Sequence, residues 1–553
     1  MSWIYLLSMF AYPSHSILRQ RLLRACFIAV LSLFHAGASA APVVAPSKDE
    51  VLTAMHRATA FMLEKASNEG GYVWFYLPDF SRRWGELEAK KSMIWIQPPG
   101  TGSMGHLFLD AYHATGDEYY YRAAESVAVA LIRGQHPSGG WNYVVDFAGE
   151  DSLRQWYATV GRNAWRLEEF QHYYGNATFD DGGTAECAKF LLRLFVEKHD
   201  AKYRPALDKA LRFVLDSQYA VGGWPQRFPL MSEFSHHGRP DYTPFITLND
   251  NVASENIDFL IKCYQALGET RLLDPIRRGM DCYLAAQQGP EQPGWALQYT
   301  LDLKPAGART YEPCGLVTHT TASCIEDLMQ FYRLTGDKKY LGRIPEALAW
   351  LEKVRSPKEI VPEGRTHPTF LEVGTGKPIY LHRRGSNVFN GEYYTDGDPH
   401  HIITHYGSFR AVDVAGLRGR LEKIKAAPVS ELTKDSPLLS SVPLPRYFTL
   451  GNPDYNVYDE KAGEDQAKLG FRAKQLLARL NSDGYWPVPI RYTSHPYTRD
   501  GSKQPVDGDY CETKVGDETD TSPFPDPSPA VGISTGAYIR NMGVLIEYLT
   551  HAK

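Results

Sequence analysis

Three short strings carry residue types that could do chemistry: Asp180 in NATFDDGGT (176–184), Asp250 in ITLNDN (246–251) and Arg309 in KPAGARTYEP (304–313). Carboxylates bracketed by Gly, Asn and Thr in turns offer oxygen ligands to a hard cation. Ca²⁺ takes roughly six to eight such oxygens and tolerates water among them, so two acids plus an anionic substrate would suit it. An Arg in a Pro/Gly/Ala-rich loop can be aimed from elsewhere in the chain at an anion or at developing negative charge. Both acidic strings stand just ahead of helices expected to begin near Thr184 and Ser254. There the helix-end amides favour ionised carboxylates, although an N-cap followed by a turn explains the same composition. No EF-hand string is present.

Those strings must be positioned by helices. Apolar residues at helical spacing predict helices over 48–68, 105–114, 118–133, 185–198, 203–218, 254–267, 272–288, 321–334 and 339–354. Strand-like alternation is short and local, so the chain reads as all-α with small hairpins at most. A repeat organises it. QHPSGGW (135–141) and QYAVGGW (218–224) share one form, QQGPEQPGW (287–295) is a longer copy, and NEGG (68–71) and DGYW (483–486) are weaker ones. Each clear copy follows a helix, so a Gly-rich stop and a Trp close one hairpin against the next. Copies roughly 70 to 80 residues apart mean stacked helical hairpins. The expected fold is an α/α toroid with short β-hairpins in its loops and the chemistry at the loop end. Residues 41–425 are expected to form the catalytic toroid. Residues 426–553 would supply a Pro/Ser/Lys-rich arm and a C-terminal helical extension that could complete the ring.

The 553 residues are 43 % hydrophobic, enough for a large core, and 59 basic against 64 acidic residues leave a net charge of −5. That balance gives no nucleic-acid footprint. A slightly acidic chain must concentrate Arg, Lys or a metal locally to hold a polyanion. With 34 Tyr and 11 Trp there are rings to spare for sugar faces, though most such rings belong to cores. Arg19, Arg21 and Arg24, then CFIAVLSLFHAGASA (26–40) with Ala-Ser-Ala before Ala41-Pro42, read as an export leader over 1–40. The expectation is a secreted or periplasmic monomer, off the membrane once the leader is cut. Cys187, Cys263, Cys282, Cys314, Cys324 and Cys511 then remain, with no C-x-x-C spacing.

NATFDDGGT, GGWPQRFPL (222–230), ITLNDN, the run 301–313 and FLEVGTGKPIY (370–380), in that order, resemble the pectate lyases of polysaccharide lyase family 10. The resemblance implies a secreted toroidal enzyme that cleaves polygalacturonate by β-elimination with Ca²⁺ and an Arg base. On that pattern Asp180 and Asp250 are the metal ligands and Arg309 is the catalytic residue. Asp181, Trp224, Arg227 and Asn249 are candidate substrate-binding residues, and so are Glu312, Arg383 and Arg384. A guanidinium can act as a base only if neighbouring positive charge and desolvation depress its pKa, and Ca²⁺ close by and alkaline pH would both help; a carboxylate-binding clamp or a salt bridge to Glu312 is the other role for Arg309. The chain departs from the family pattern at Asn142 and Tyr143, where Pro and Lys are usual, at Thr369, where a second cation is usual, and at Asp181, where Asn is usual.

Three other readings fit parts of the sequence. A glycoside hydrolase on the same toroid would use Asp180 and Asp250 as acid and base. A terpene-cyclase-like protein shares the Q-x-x-x-G-G-W turn but would need an Asp-rich motif that is missing. A non-catalytic sugar-binding relative would keep the toroid alone.

Overall fold

The computed structural model describes residues 45–231, 240–385, 388, 392–403, 405–444, 466–501 and 516–551. The expected leader and Cys511 lie outside them. The described residues from Pro46 onward belong to one unit.

Helices come in antiparallel pairs, and their turns are written locally in the sequence. α1 (Lys48–Phe61) opens on a Ser47/Glu50 capping box. α2 (Thr101–Thr115) turns into α3 (Glu118–Gly134) through Gly116 in the left-handed conformation, and Asp117 then caps α3 by accepting from the Tyr119 amide. α4 (Glu150–Trp156) is short. α5 (Gly183–Lys198) and α6 (Arg204–Asp216) turn at His199 and Asp200. α7 (Val252–Leu267) and α8 (Leu273–Ala286) turn at Gly268. α9 (Thr318–Thr335) and α10 (Ile344–Lys353) turn at Gly336 and Asp337. α11 (Val414–Ala426), α12 (Val429–Thr433), α13 (Gln466–Arg479) and α14 (Thr535–His551) follow. A left-handed stop followed by an acidic cap satisfies both helix ends at once.

The pairs form two layers of an α/α toroid. α5 is buried at every position from Gly183 to Leu194, as an inner helix must be. α6 buries one face only, through Ala206, Leu207, Ala210, Leu211, Phe213 and Val214, as an outer helix does. Inner helices α14, α2, α5 and α7 pack in succession, and α9 packs on α11. The last helix lies against both of the first two, Tyr548 donates to the Pro46 carbonyl at 2.7 Å, and strand Val531–Ser534 pairs with Phe75–Tyr76.

The repeated Gly-Trp turns join neighbouring pairs. The indole N–H of Trp141, Trp224, Trp295 and Trp486 donates back to Leu131, Val214, Tyr283 and Leu476 in the preceding outer helix. The glycine two residues ahead of Trp141 and of Trp224 sits at φ 113° and 101°. A Cβ there would meet the Lys209 carbonyl at 2.1 Å and the Arg278 carbonyl at 1.9 Å, on the next outer helix. Only glycine permits so close an approach.

β-structure is confined to the loops. Its largest piece is an antiparallel sheet of Gly315–Val317, Phe370–Glu372, Pro378–Arg384 and Glu392–Asp396. Two-residue bridges fasten the acidic strings, Ala177–Thr178 to Arg227–Phe228 and Ile246–Thr247 to Gln298–Tyr299. No described helix is long and apolar enough to cross a membrane.

Candidate active site

The two acidic turns are built alike. Thr178 and Thr247 each donate a backbone N–H to the carbonyl of a turn tryptophan, Trp141 and Trp224. Each chain then passes through a residue at positive φ, Asp181 at 50° and Asp250 at 51°, before entering α5 or α7. Neither acid caps its helix: the cap positions are Gly182 and Asn251, and no side chain serves there. The two turns pack against each other. One ligand oxygen from each of Asp180, Asp181 and Asp250 lies within 4.8 Å of the others.

Arg309 enters from a third loop. Its Nε and Nη2 donate to Glu312 Oε2 and Oε1 at 2.9 and 2.8 Å, Nη1 donates to Asp180 Oδ2 at 3.2 Å, and Nη2 stands 3.5 Å from Asp250 Oδ2. Glu169 lies 3.9 Å from Nη1. The loop carrying Arg309 is itself held: Glu168 accepts from the Thr310 amide at 2.7 Å, and Glu169 accepts from the Tyr311 hydroxyl at 2.7 Å. The segment bearing those two glutamates is pinned from behind by the C-terminal turn. Asp520 accepts from the amides of Trp165, Ser522 and Gly516, and the Thr521 hydroxyl donates to the Val160 carbonyl.

Crowding of acids sets the electrostatics. Burial, then Asp180 and Asp181, push Asp250 well above the usual carboxylate range. Desolvation of its carboxyl among the neighbouring acids, then the Asp180 charge, lift Asp181 to about 7. Burial lifts Glu169 to about 7 against the pull of Arg309. At Asp180, burial pushes up, but Arg309 and hydrogen bonds from Asp250 and Tyr143 bring it below its ordinary value. The mouth therefore carries more negative charge than it holds comfortably. Asp180 Oδ1 is buried without a hydrogen-bond partner, while Asp181 is exposed and Asp250 half-exposed. A buried bare oxygen, two further carboxylates within reach and an open side fit a hard cation such as Ca²⁺.

Several expectations for individual residues need correcting. The described side chains closest to Arg309 are acids and phenols. Burial alone would lower its pKa, but Glu312, Tyr311 and Asp180 hold it well above the ordinary value. Trp224 is fully buried with its N–H spent on the core, so it has no face for a sugar. Glu312 is wholly buried behind Arg309 and cannot reach a substrate. Asp181 joins the carboxylate triad. Asn249 is buried and donates to Asp250, Glu312 and the Tyr406 hydroxyl, so it positions the acids. Arg227 is buried under Tyr143 and Tyr174, with Asn142 Oδ1 at 3.2 Å. Arg383 is buried and donates to the Trp165 carbonyl, whereas Arg384 is exposed with its guanidinium over Tyr394.

The sequence reading missed Tyr406. Its hydroxyl donates to Glu312 at 2.8 Å and lies 3.3 Å from Arg309 Nη2. It also missed Glu168 and Glu169, whose string has no distinctive form. Tyr143, which stands where a lysine is usual, spends its hydroxyl on Asp180.

Fold and site together define a helical toroid whose mouth gathers three carboxylates around one arginine. Residues 150–388, a little under half of the chain, match the model of the pectic acid lyase family. No curated protein matches the chain. Among solved structures, a family 10 polysaccharide lyase from Cellvibrio cellulosa is 19% identical, with 49% of this chain and 82% of that chain covered at a TM-score of 0.35. The GH76A α-1,6-mannanase from a Salegentibacter species is 12% identical, with 91% and 99% covered at 0.34. The cellobiose 2-epimerase from Spirochaeta thermophila is 12% identical, with 56% and 71% covered at 0.36.

Proposed function

We propose that the protein is a secreted or periplasmic polysaccharide lyase that cleaves polygalacturonate, or a related acidic uronan, by Ca²⁺-assisted β-elimination. The observation that carries this reading is the meeting of Asp180, Asp250 and Arg309, from three separated strings, within hydrogen-bonding reach of one another. The family match over residues 150–388 supports it.

In the proposed reaction the C5 proton passes to the base, the C4–O4 bond breaks, a C4=C5 double bond forms, and the departing O4 takes a proton from solvent to leave as a hydroxyl. Asp180, Asp181 and Asp250 would hold Ca²⁺, which when bound supplies positive charge against the uronate carboxylate. Arg309 is assigned the C5 proton, a role open to it only with a bound cation's charge set against Glu312, Tyr311 and Asp180, which hold its pKa up; Glu312 fixes the direction of its guanidinium. Asn249 and Tyr406 keep that pair and Asp250 in register. Tyr143 orients Asp180.

The hydrolase reading is less well supported. Its two carboxyl groups need to stand roughly 5–5.5 Å apart, or further, to leave room for sugar and water. Here the acidic oxygens lie within 4.8 Å of one another, near the shorter of those spacings, but Asp180 and Asp250 share one guanidinium, which suits an anion or cation site better than an acid–base pair.

The test is an absorbance assay for unsaturated uronide on a panel of acidic polysaccharides, with and without chelator. Ultraviolet-absorbing product that disappears with chelator is expected. New reducing ends without that absorbance would replace elimination by hydrolysis.

A further inference from the structure

His405 lies beyond the family-matched residues 150–388 and directly before Tyr406. It is exposed, yet its imidazole stacks on Tyr311 with centroids 4.5 Å apart and planes 19° from parallel. Tyr311 is a rigid backing: it is 4 % exposed and tethered through its hydroxyl to Glu169. The Arg309 guanidinium carbon lies 5.1 Å from the centre of the same Tyr311 ring. An open imidazole, a fixed phenol ring and the guanidinium thus form one continuous structure at the edge of the acidic mouth.

We propose that His405 is a stacking platform for the pyranose ring that neighbours the uronate held at the acidic triad. This rests on the uronan reading given above and adds a subsite to it. The carbon–hydrogen face of a sugar packs on an aromatic surface held flat and presented at low entropic cost. A ring already braced by Tyr311 meets that need without rearrangement. Desolvation of the ring side packed on Tyr311 and Tyr406, then Arg309, draw the His405 imidazole down to about 4, so at neutral pH its open side is uncharged. An uncharged face leaves the substrate's carboxylates to Arg309 and the cation. No sequence motif marks this residue; only its stacking on Tyr311 does.

The experiment compares wild type with His405→Ala, His405→Gln and His405→Phe in two measurements. These are steady-state kinetics on polygalacturonate with Ca²⁺, and calorimetric titration with trigalacturonate under the same conditions. His405→Ala and His405→Gln should raise KM and weaken trigalacturonate binding roughly five- to tenfold, with kcat within about twofold. His405→Phe, which restores a flat ring but no nitrogen, should recover most of the loss. Unchanged affinity in His405→Ala overturns the platform, and so does a His405→Phe protein as weak as His405→Ala. If wild type binds trigalacturonate through His405 but yields no unsaturated product, the elimination reading fails and the platform stands. If wild type binds no uronan at all, both fail.

Discussion

Arg309 and Glu312, three residues apart in one loop, form a two-pronged ion pair at 2.9 and 2.8 Å in which the acid is completely buried. The pair aims the outer edge of the guanidinium at Asp180 and Asp250, so one contact serves both stability and direction.

Replacing Arg309 by Ala should therefore do two things. Turnover should fall by roughly a thousandfold, the upper end for loss of one fixed charged or donor group in a reacting site. Stability should fall by about 3–5 kcal/mol, because Glu312 is left charged and unpaired in the interior. The double variant Arg309→Ala with Glu312→Gln should regain much of the melting temperature and none of the turnover. Wild-type turnover in the single variant would remove Arg309 from the chemistry.

Asp250→Asn and Asp181→Asn should each raise the Ca²⁺ concentration for half-maximal activity by roughly tenfold or more, since even supporting groups of a metal site carry that much. Calorimetric titration of Ca²⁺ into the chelator-treated protein checks it without relying on turnover. An unchanged affinity in both variants places the ion elsewhere.

Glu255, five residues past Asp250, gives a pH prediction for stability. It lies in the first turn of α7, 8 % exposed, with Oε2 unpartnered, and burial lifts its pKa from the ordinary 4.5 to about 8, with Lys189 pulling the other way. Burial lifts Glu186 in α5 to about 7. Groups with raised folded-state values bind protons more tightly when folded, so their stability is complete below about pH 4.5 and is lost as pH climbs through 7 to 8. The melting temperature should fall between pH 5 and pH 9. Glu255→Gln should flatten that fall and stabilise the protein at pH 9, on the order of a few kcal/mol. A pH 9 melting temperature unchanged by this variant would refute the assignment.

Asp520 tests whether the C-terminal turn positions the Arg309 loop. It is wholly buried and holds the segment whose Glu168 and Glu169 grip Thr310 and Tyr311. Asp520→Ala should lower kcat about tenfold with KM little changed, and hydrogen exchange over residues 308–312 should quicken. Thr521→Ser, which keeps the hydroxyl bonded to Val160, should behave as wild type, whereas Thr521→Val should not. Equal exchange in all the proteins would show that the turn does not act on the site.

The helical pairs and the three reactive strings were legible because they are local. Left-handed stops, acidic caps and Gly-Trp turns are each written within a few residues, and so are the environments of Asp180, Asp250 and Arg309. Partners fixed by long-range contact were not. Tyr406 lies 97 residues beyond Arg309 in a string with no chemical mark, and Asp520 lies 355 beyond Trp165. Trp224 misled because an indole in a Gly-rich turn reads equally as a sugar platform and as a core ring, and only burial separates the two. That Asp181 stands beside Asp180 and Asp250 was not legible, because the approach of the two acidic turns is a long-range contact.

Tyr548 in the last helix reaches the carbonyl of Pro46, just ahead of the first. A circular permutant follows from that contact: a short Gly/Ser bridge from residue 551 to residue 46, with new ends opened in the exposed stretch at 439–441, should fold and keep its catalytic competence. The order in which the hairpins leave the ribosome would then be free to vary while the architecture stays the same.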